Sequence, residues 1–364
     1  MNTIVVNIGS GRWLTSARRA NFGALLKWRT VSYGIKSSAL FLFLLIVITF
    51  MLVPLNLIQG VLFGRTSTVL TSTSALSGNK LKQDLSKGTG LTTCVATEKP
   101  STDEFSVCPS YKLDFHKMSS NDISNKYFNV FKGLSETNNE AQIYTSDKQN
   151  VRVENGSLVL EARNNIKAGL AYSSARLDTK GKKNFKYGRL VVRAKMPAGI
   201  GTWPAIWMLP SQPKYVSQIS SNESAYLADG EIDIAESIGR EPNVVYSVTH
   251  SLSYDSNGVD RTYFNTIEVP GNDKNYHNYE VEWTPNRLTF KVDGVTFHSY
   301  EKRVGADFRS WPYDQSYYLV MNLALGGNWA GKDRQNFPTD GVDPAALPTS
   351  LRVESVSYYS YIGS

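Results

Sequence analysis

Gly230-Glu231-Ile232-Asp233-Ile234-Ala235-Glu236-Ser237-Ile238-Gly239-Arg240 places three carboxylates in an apolar, β-branched stretch that reads as a buried strand. Side chains alternate faces along a strand, so Glu231 and Asp233 point the same way. Glu236 has the wrong parity for that face unless a β-bulge between Asp233 and Glu236 absorbs one residue. With the bulge, all three acids line one surface. Like charges crowded onto one face cost stability, so a strand that keeps them is a candidate for using them.

Four strand steps then separate the outer glutamates, roughly 13 Å between Cα atoms at about 3.3 Å per residue. Side chains that each reach inward by about 3.5–4 Å bring the carboxyl groups to about 5–6 Å, the separation of a retaining glycosidase. There one carboxylate attacks the anomeric carbon and the other protonates the leaving oxygen. An inverting enzyme wants about 6.5–9.5 Å, to admit a water. Strand bending moves either tip by more than that difference, so the spacing favours retention without fixing it. The bland alternatives are a solvated acidic strand and a metal site. Ile232, Ile234 and Ile238, between Gly230 and Gly239, speak for burial. No histidine neighbours the cluster in sequence, and Ca²⁺ loops alternate acids within a glycine-containing loop, so no metal is expected there.

The sequence has 364 residues and a formal net charge of +7. Residues 1–38 hold Arg12, Arg18, Arg19, Lys27, Arg29 and Lys36 with no acid, which is +6 of the +7. The basic balance is a property of this tail, and a nucleic-acid partner is not expected. Uncharged residues then run from Ser37 to Gly64, enough to span a bilayer core of about 30 Å as a helix. A cleaved signal peptide would need an unusually long basic leader. Residues 39–63 are therefore expected to be a single-pass membrane anchor. The positive-inside rule puts the N-terminus in the cytoplasm and the rest on the lumenal or extracellular side.

Residues 64–109 are rich in Ser and Thr and read as a flexible stem. The only cysteines, Cys94 and Cys108, fall at its end. On the oxidising side of the membrane they are expected to pair, a bridge worth about 3 kcal/mol in the chain-entropy model, with two free thiols as the alternative. Asn155-Gly156-Ser157 and Asn222-Glu223-Ser224 fit the N-glycosylation acceptor pattern, usable only on that side.

From about residue 110 to 364 the texture is all-β. Val151-Arg152-Val153 and Ser157-Leu158-Val159-Leu160 flank Asn155-Gly156, a hairpin signal. Tyr279–Trp283, Arg287–Val292 and Val295–His298, separated by short turns, predict a three-strand meander. No segment beyond residue 64 shows a sustained helical period, and no internal repeat is visible. Many strands over this length predict one large sandwich domain, 110–364, rather than two domains.

At these motifs the chain resembles glycoside hydrolase family 16, in its laminarinase-like branch of β-1,3-glucanases. The most specific element is Glu231-Ile232-Asp233-Ile234-Ala235-Glu236, the bulged form of the family signature. Supporting matches are Tyr187-Gly188-Arg189, Trp203-Pro204-Ala205-Ile206-Trp207-Met208, Glu282-Trp283-Thr284-Pro285, Val292-Asp293-Gly294 and Asn322-Leu323-Ala324-Leu325-Gly326-Gly327-Asn328-Trp329. The resemblance covers most of residues 110–362. It implies a concanavalin-type β-jelly-roll sandwich with an open cleft lined by aromatic side chains. By that resemblance Glu231 is the expected nucleophile and Glu236 the general acid/base. Asp233, between them, is expected to hydrogen-bond the nucleophile. Trp203, Trp207, Tyr226, His250, Asn322 and Trp329 are the candidate sugar-binding residues, with core packing as the alternative for the tryptophans and for His250. No cofactor is expected, and a structural Ca²⁺ on the convex face is left open.

Two departures stand out. Family members often carry Trp-Pro just before the signature glycine, where this chain reads Tyr226-Leu227-Ala228-Asp229. Ser211 to Ala225 also reads as a longer polar loop near the cleft. The expected function is a membrane-anchored retaining endo-β-glucanase acting on β-1,3 or mixed β-1,3/1,4 glucan. The alternatives are a glucan transglycosylase in wall remodelling and a non-catalytic glucan-binding or wall-assembly protein. The last would normally have lost one of the glutamates, and here all three acids stand.

Overall fold

Gly188–Lys195 alternates buried and half-buried residues along its whole length, the period of two that a sheet with one covered face requires. Leu190, Val192 and Ala194 point into the core, while Arg189 and Arg193 face outward and pair with Glu280 and Glu354. The computed structural model of the chain describes residues 104–363, apart from 136, 168, 222, 254–262, 333, 334 and 338. The basic tail, the expected anchor at 39–63, most of the stem, Cys94 and Asn222 lie outside those residues. Among the described residues no helix is long and apolar enough to cross a membrane. Cys108 is disulfide-bonded.

Two sheets face each other, so the all-β reading holds. The outer sheet runs in the order Val295–Glu301, Arg287–Val292, His277–Trp283, Gly188–Lys195, Thr349–Ser360, Ser157–Lys167, Leu170–Ser174, Gln142–Tyr144, Gly133–Leu134. Its first three strands are the predicted meander. The hairpin at Asn155-Gly156 is also present, with both turn residues at positive φ (52° and 74°), which the tight two-residue turn demands. Asn155 is exposed at its tip.

The second sheet carries the cleft. Its order is Phe264–Glu268, Val244–His250, Glu231–Glu236, Thr202–Pro210, Tyr317–Leu325, Arg176–Asp178, Asn129–Val130. One face packs on the outer sheet through Ile206, Met208, Ile232, Ile234, Leu319 and Met321. Burying such side chains contributes about 1.5–3 kcal/mol each. Trp283 ties the layers together. Its ring meets Tyr187 and Tyr317 edge-on at 5.3 and 5.4 Å, and its indole N–H donates to the Tyr313 carbonyl at 3.0 Å. The other face of the sheet is the platform for the acids.

Candidate active site

Glu231 and Asp233 sit opposite His250 and Val248, but Glu236 sits opposite Tyr246, so the register slips by one between Asp233 and Glu236. The same slip appears against the strand Thr202–Pro210 on the other side. This is the bulge that the parity of the acids required. Its consequence is visible in the core: Ile234 and Ala235, neighbours in sequence, both pack into it. Glu236 is thereby returned to the face of Glu231 and Asp233, and all three line one cavity. Gly230, just before the acids, has φ +74°, and a Cβ there would fall 2.5 Å from Pro312 Cγ and 2.9 Å from the Tyr317 hydroxyl. Only glycine turns the chain into the strand at that spot.

The acids are nearly sealed from water, at 8%, 3% and 9% exposure for Glu231, Asp233 and Glu236. Burial pushes the Glu231 carboxyl well above the usual carboxylate range, and the Asp233 charge adds to it, while His250 and a hydrogen bond from the Tyr226 hydroxyl oppose it. Asp233 is raised by burial and then by Glu236, with a hydrogen bond to Glu231 working the other way. Burial raises Glu236 too, countered by the Trp203 indole N–H, which donates to its Oε1 at 2.8 Å. Three buried acids within reach of each other do not all ionise at once, so the cluster holds protons at pH values where ordinary carboxylates have lost them.

The candidate sugar-binding residues gather around this cluster, but several are already committed. Trp203 donates to Glu236 and meets Trp329 edge-on at 5.3 Å, and Trp329 meets Tyr246 at 4.9 Å. Trp203 lines the cavity at the Glu236 end, and Trp329 and Tyr246 pack behind it. Trp207 donates to Asn322 Oδ1 at 2.6 Å, and Asn322 in turn donates to the Tyr144 hydroxyl at 3.3 Å. His250 lies beside the acids, with Nε2 at 2.9 Å from Asp233 Oδ2 and 3.8 Å from Glu231 Oε1. A histidine does neighbour the cluster, then, across the sheet rather than along the chain. Tyr226 stands at the other end, half exposed, with its ring 6.1 Å from that of His250.

The polar loop before the acids is a folded wall. Asp229 Oδ1 accepts from the Lys214 and Tyr215 backbone N–H groups at 2.6 and 2.8 Å and from Gln315 at 3.1 Å. Tyr215 stacks on Phe308 at 4.7 Å, and Arg309 pairs with Glu223 at 3.2 Å. Leu227 and Ala228 pack with Tyr215 and Leu252 into a small apolar cluster of their own. That is what holds Tyr226 over the acids.

Comparison with known proteins matches this chain and its fold to one family. The family model described as glycosyl hydrolases family 16 matches residues 138–340. The chain belongs to that family. A β-glucanase of Rhodothermus marinus is 40% identical over 232 residues, covering 62% of this chain and 76% of that protein. The solved laminarinase of Rhodothermus marinus superposes with a TM-score of 0.61 at 36% identity, covering 70% of this chain and 98% of that one. A variant of SCLam, a non-specific endo-β-1,3(4)-glucanase of the family, gives 0.59 at 29% identity, covering 71% of this chain and 96% of that one. It was crystallised with 1,3-β-D-cellobiosyl-cellobiose and presents 1,3-β-D-cellobiosyl-glucose at its active site. The family 16 chain described here is laminarinase-like and a glycoside hydrolase.

Within this family 16 cleft, sequence patterning did not single out Arg176, Tyr144 or Glu140. Arg176 spreads over the Trp207 ring at 4.9 Å and the Phe131 ring at 5.5 Å, and lines the same cavity as the acids. Glu140 accepts from Gln142 and Tyr144 at 2.7 and 3.1 Å. Arg176 stands in a short strand with ordinary alternation, so nothing local marks it; only the pairing of that strand with Tyr317–Leu325 brings it to the cleft.

Proposed function

We propose that this chain is a retaining endo-β-glucanase that cleaves β-1,3 or mixed β-1,3/1,4 glucan. The observation that carries the reading is the bulged strand, which turns three buried carboxyls, their pKa values raised by burial, onto one cleft face. In the first step Glu236 gives its proton to the glycosidic oxygen while a Glu231 oxygen bonds to the anomeric carbon. The C–O bond breaks, the shortened glucan leaves as an alcohol, and a glycosyl ester of Glu231 remains. In the second step the Glu236 carboxylate takes a proton from water, whose oxygen displaces Glu231 from the anomeric carbon. Asp233 hydrogen-bonds Glu231 and holds it for in-line attack. Trp203, through its N–H on Glu236, steers the acid/base. The chemistry is supplied by carboxyl groups and needs no cofactor.

The oligosaccharide at the SCLam active site supports a glucan in the equivalent cleft here. We place the catalytic domain lumenal or extracellular, behind an anchor at 39–63, on the strength of the basic tail and the uncharged run that follows it. Asn155, exposed in its turn, is the glycosylation acceptor this topology makes usable.

Incubation with defined β-1,3, β-1,4 and mixed-linkage oligosaccharides, read by mass, tests the substrate. Internal cleavage of β-1,3-containing chains to shorter products is expected. Turnover of β-1,4 chains alone would reject the linkage assignment, and products longer than the donor would replace hydrolysis by transfer.

Tyr226 supplies a pH test. Its hydroxyl favours the ionised form of Glu231, and only the ionised form attacks carbon. Removing the hydroxyl raises the Glu231 pKa further, so activity is lost at a higher pH on the acid side. Tyr226→Phe is expected to move the acid limb of kcat/KM upward. At acid pH the loss should be about 2–10-fold, the worth of one net hydrogen bond. A limb that stays put or moves down would show that Tyr226 does not govern Glu231.

A further inference from the structure

Glu231, Asp233 and His250 converge in a way that the two-carboxylate chemistry does not call for. One ligating atom from each lies within 4.8 Å of the other two. Among the described residues they are the grouping of His, Cys, Asp and Glu that meets so closely. Asp233 is 3% exposed, and its Oδ2 is buried and makes no hydrogen bond. Yet His250 Nε2 stands only 2.9 Å from that oxygen. The two atoms stand at ion-pair distance, and with a Glu231 oxygen they make a compact set of three donors of the size that holds a cation.

The dimensions and the donors agree on the kind of cation. Ligand atoms about a tetrahedral ion with bonds of about 2.0–2.2 Å lie about 3.3–3.6 Å apart. The distances from His250 Nε2, 2.9 Å to Asp233 and 3.8 Å to Glu231, bracket that range. Two carboxylates with one imidazole make a three-ligand set open on the fourth side, a set suited to Zn²⁺. Ca²⁺ wants six to eight oxygens, and Mg²⁺ wants octahedral oxygen ligands. Adjacent strands in fixed register hold the donors, since Glu231 lies directly opposite His250. The open side is the cleft.

We propose that Glu231, Asp233 and His250 form an inhibitory site for one borderline divalent transition-metal ion, with Zn²⁺ as the probe. The bound ion takes the lone pair of Glu231 that would attack the anomeric carbon, and it occupies the space of the reacting sugar. Metal and glucan therefore exclude each other, and the enzyme switches on when the metal is withdrawn. The binding half stands on the donor geometry; the inhibition half rests on the role proposed for Glu231.

The test uses the full-length chain, stripped with a chelator and dialysed against a Zn²⁺ series. Bound metal is counted by elemental analysis, and melting temperature and laminarin cleavage are followed in parallel. One Zn²⁺ per chain is expected to bind at micromolar concentration, with a rise in melting temperature. Laminarin cleavage should fall at least about tenfold and return with chelator, while Mg²⁺ does neither. His250→Gln and Asp233→Asn should each weaken Zn²⁺ binding by about tenfold or more. Their melting curves without metal report whether they fold. Binding of wild-type strength in both folded variants would assign the metal to other groups, such as His116 or His277, and overturn the site. Absence of binding below millimolar Zn²⁺ would overturn it as well. Stoichiometric binding with undiminished cleavage would remove the switch. Binding lost in both variants, in a chain that never cleaves laminarin, would uphold the site and reject the glucanase reading instead.

Discussion

Glu231→Gln is expected to lower laminarin cleavage by on the order of 10⁴-fold or more, with the fold intact. The amide keeps the shape of the side chain, but it has no anionic oxygen to bond to carbon. The first step then has no nucleophile, and proton donation by Glu236 alone cannot replace it. Stability should not fall. Glu231 is buried beside Asp233, and its burial and that neighbour's charge both disfavour its ionised form. A neutral amide removes that conflict, so the melting temperature should hold or rise. Glucan binding should survive, because the rings that wall the cleft are untouched. Reducing-end release and melting temperature, measured on the same preparations, check both parts. Equal release from variant and parent would leave the acid strand without a catalytic role and favour the non-catalytic glucan-binding reading.

The acids were legible in the sequence because their information is local. Parity along one strand is a property of that strand alone, so Glu231, Asp233 and Glu236 demanded a bulge before any partner strand was known, and the bulge lies between Asp233 and Glu236. The meander and the Asn155-Gly156 hairpin were readable for the same reason, since turn chemistry and alternation act over a few residues. His250 was a different case. Its place beside Asp233 depends on the register of two strands joined by a connection whose length sets no register, and no pattern within either strand states it. Trp203 carries a similar lesson. Its motif announced an aromatic near the site, but only the fold shows that its N–H is spent on Glu236. The segment from Ser211 to Ala225 reads as polar loop because its order comes from the Asp229 carboxylate gathering backbone N–H groups and from contacts with Phe308 and Arg309. Such contacts bridge distant parts of the chain and leave no period behind.

Glu236→Ala separates the two chemical steps and decides the stereochemistry. On glucan the variant should lose about 10²–10⁴-fold, because the sugar alcohol is a poor leaving group without a proton. On a laminaribioside with a dinitrophenyl leaving group, bond breaking needs no acid, so Glu231 should still be glycosylated at a rate close to that of the parent. Hydrolysis of the ester then becomes slow, since the base that activates water is gone, and a burst of dinitrophenolate is expected. The truncation also opens space beside the Trp203 indole, which in the parent donates to the Glu236 carboxylate at 2.8 Å. Azide fits there, and as an anion it needs no base to attack the anomeric carbon. Two successive inversions at that carbon return the β configuration, so the product should be a β-laminaribiosyl azide identifiable by its anomeric proton coupling. An α-azide would mean a single displacement with no ester of Glu231, and the inverting mechanism would replace the retaining one. Equal losses on glucan and on the activated donor, without azide rescue, would show that Glu236 does not move the proton. The low exposure of Glu236 makes the first pattern the one to expect: a carboxyl whose pKa burial raises, beside a tryptophan that fixes its direction, is placed to give up a proton to an oxygen that enters the cleft.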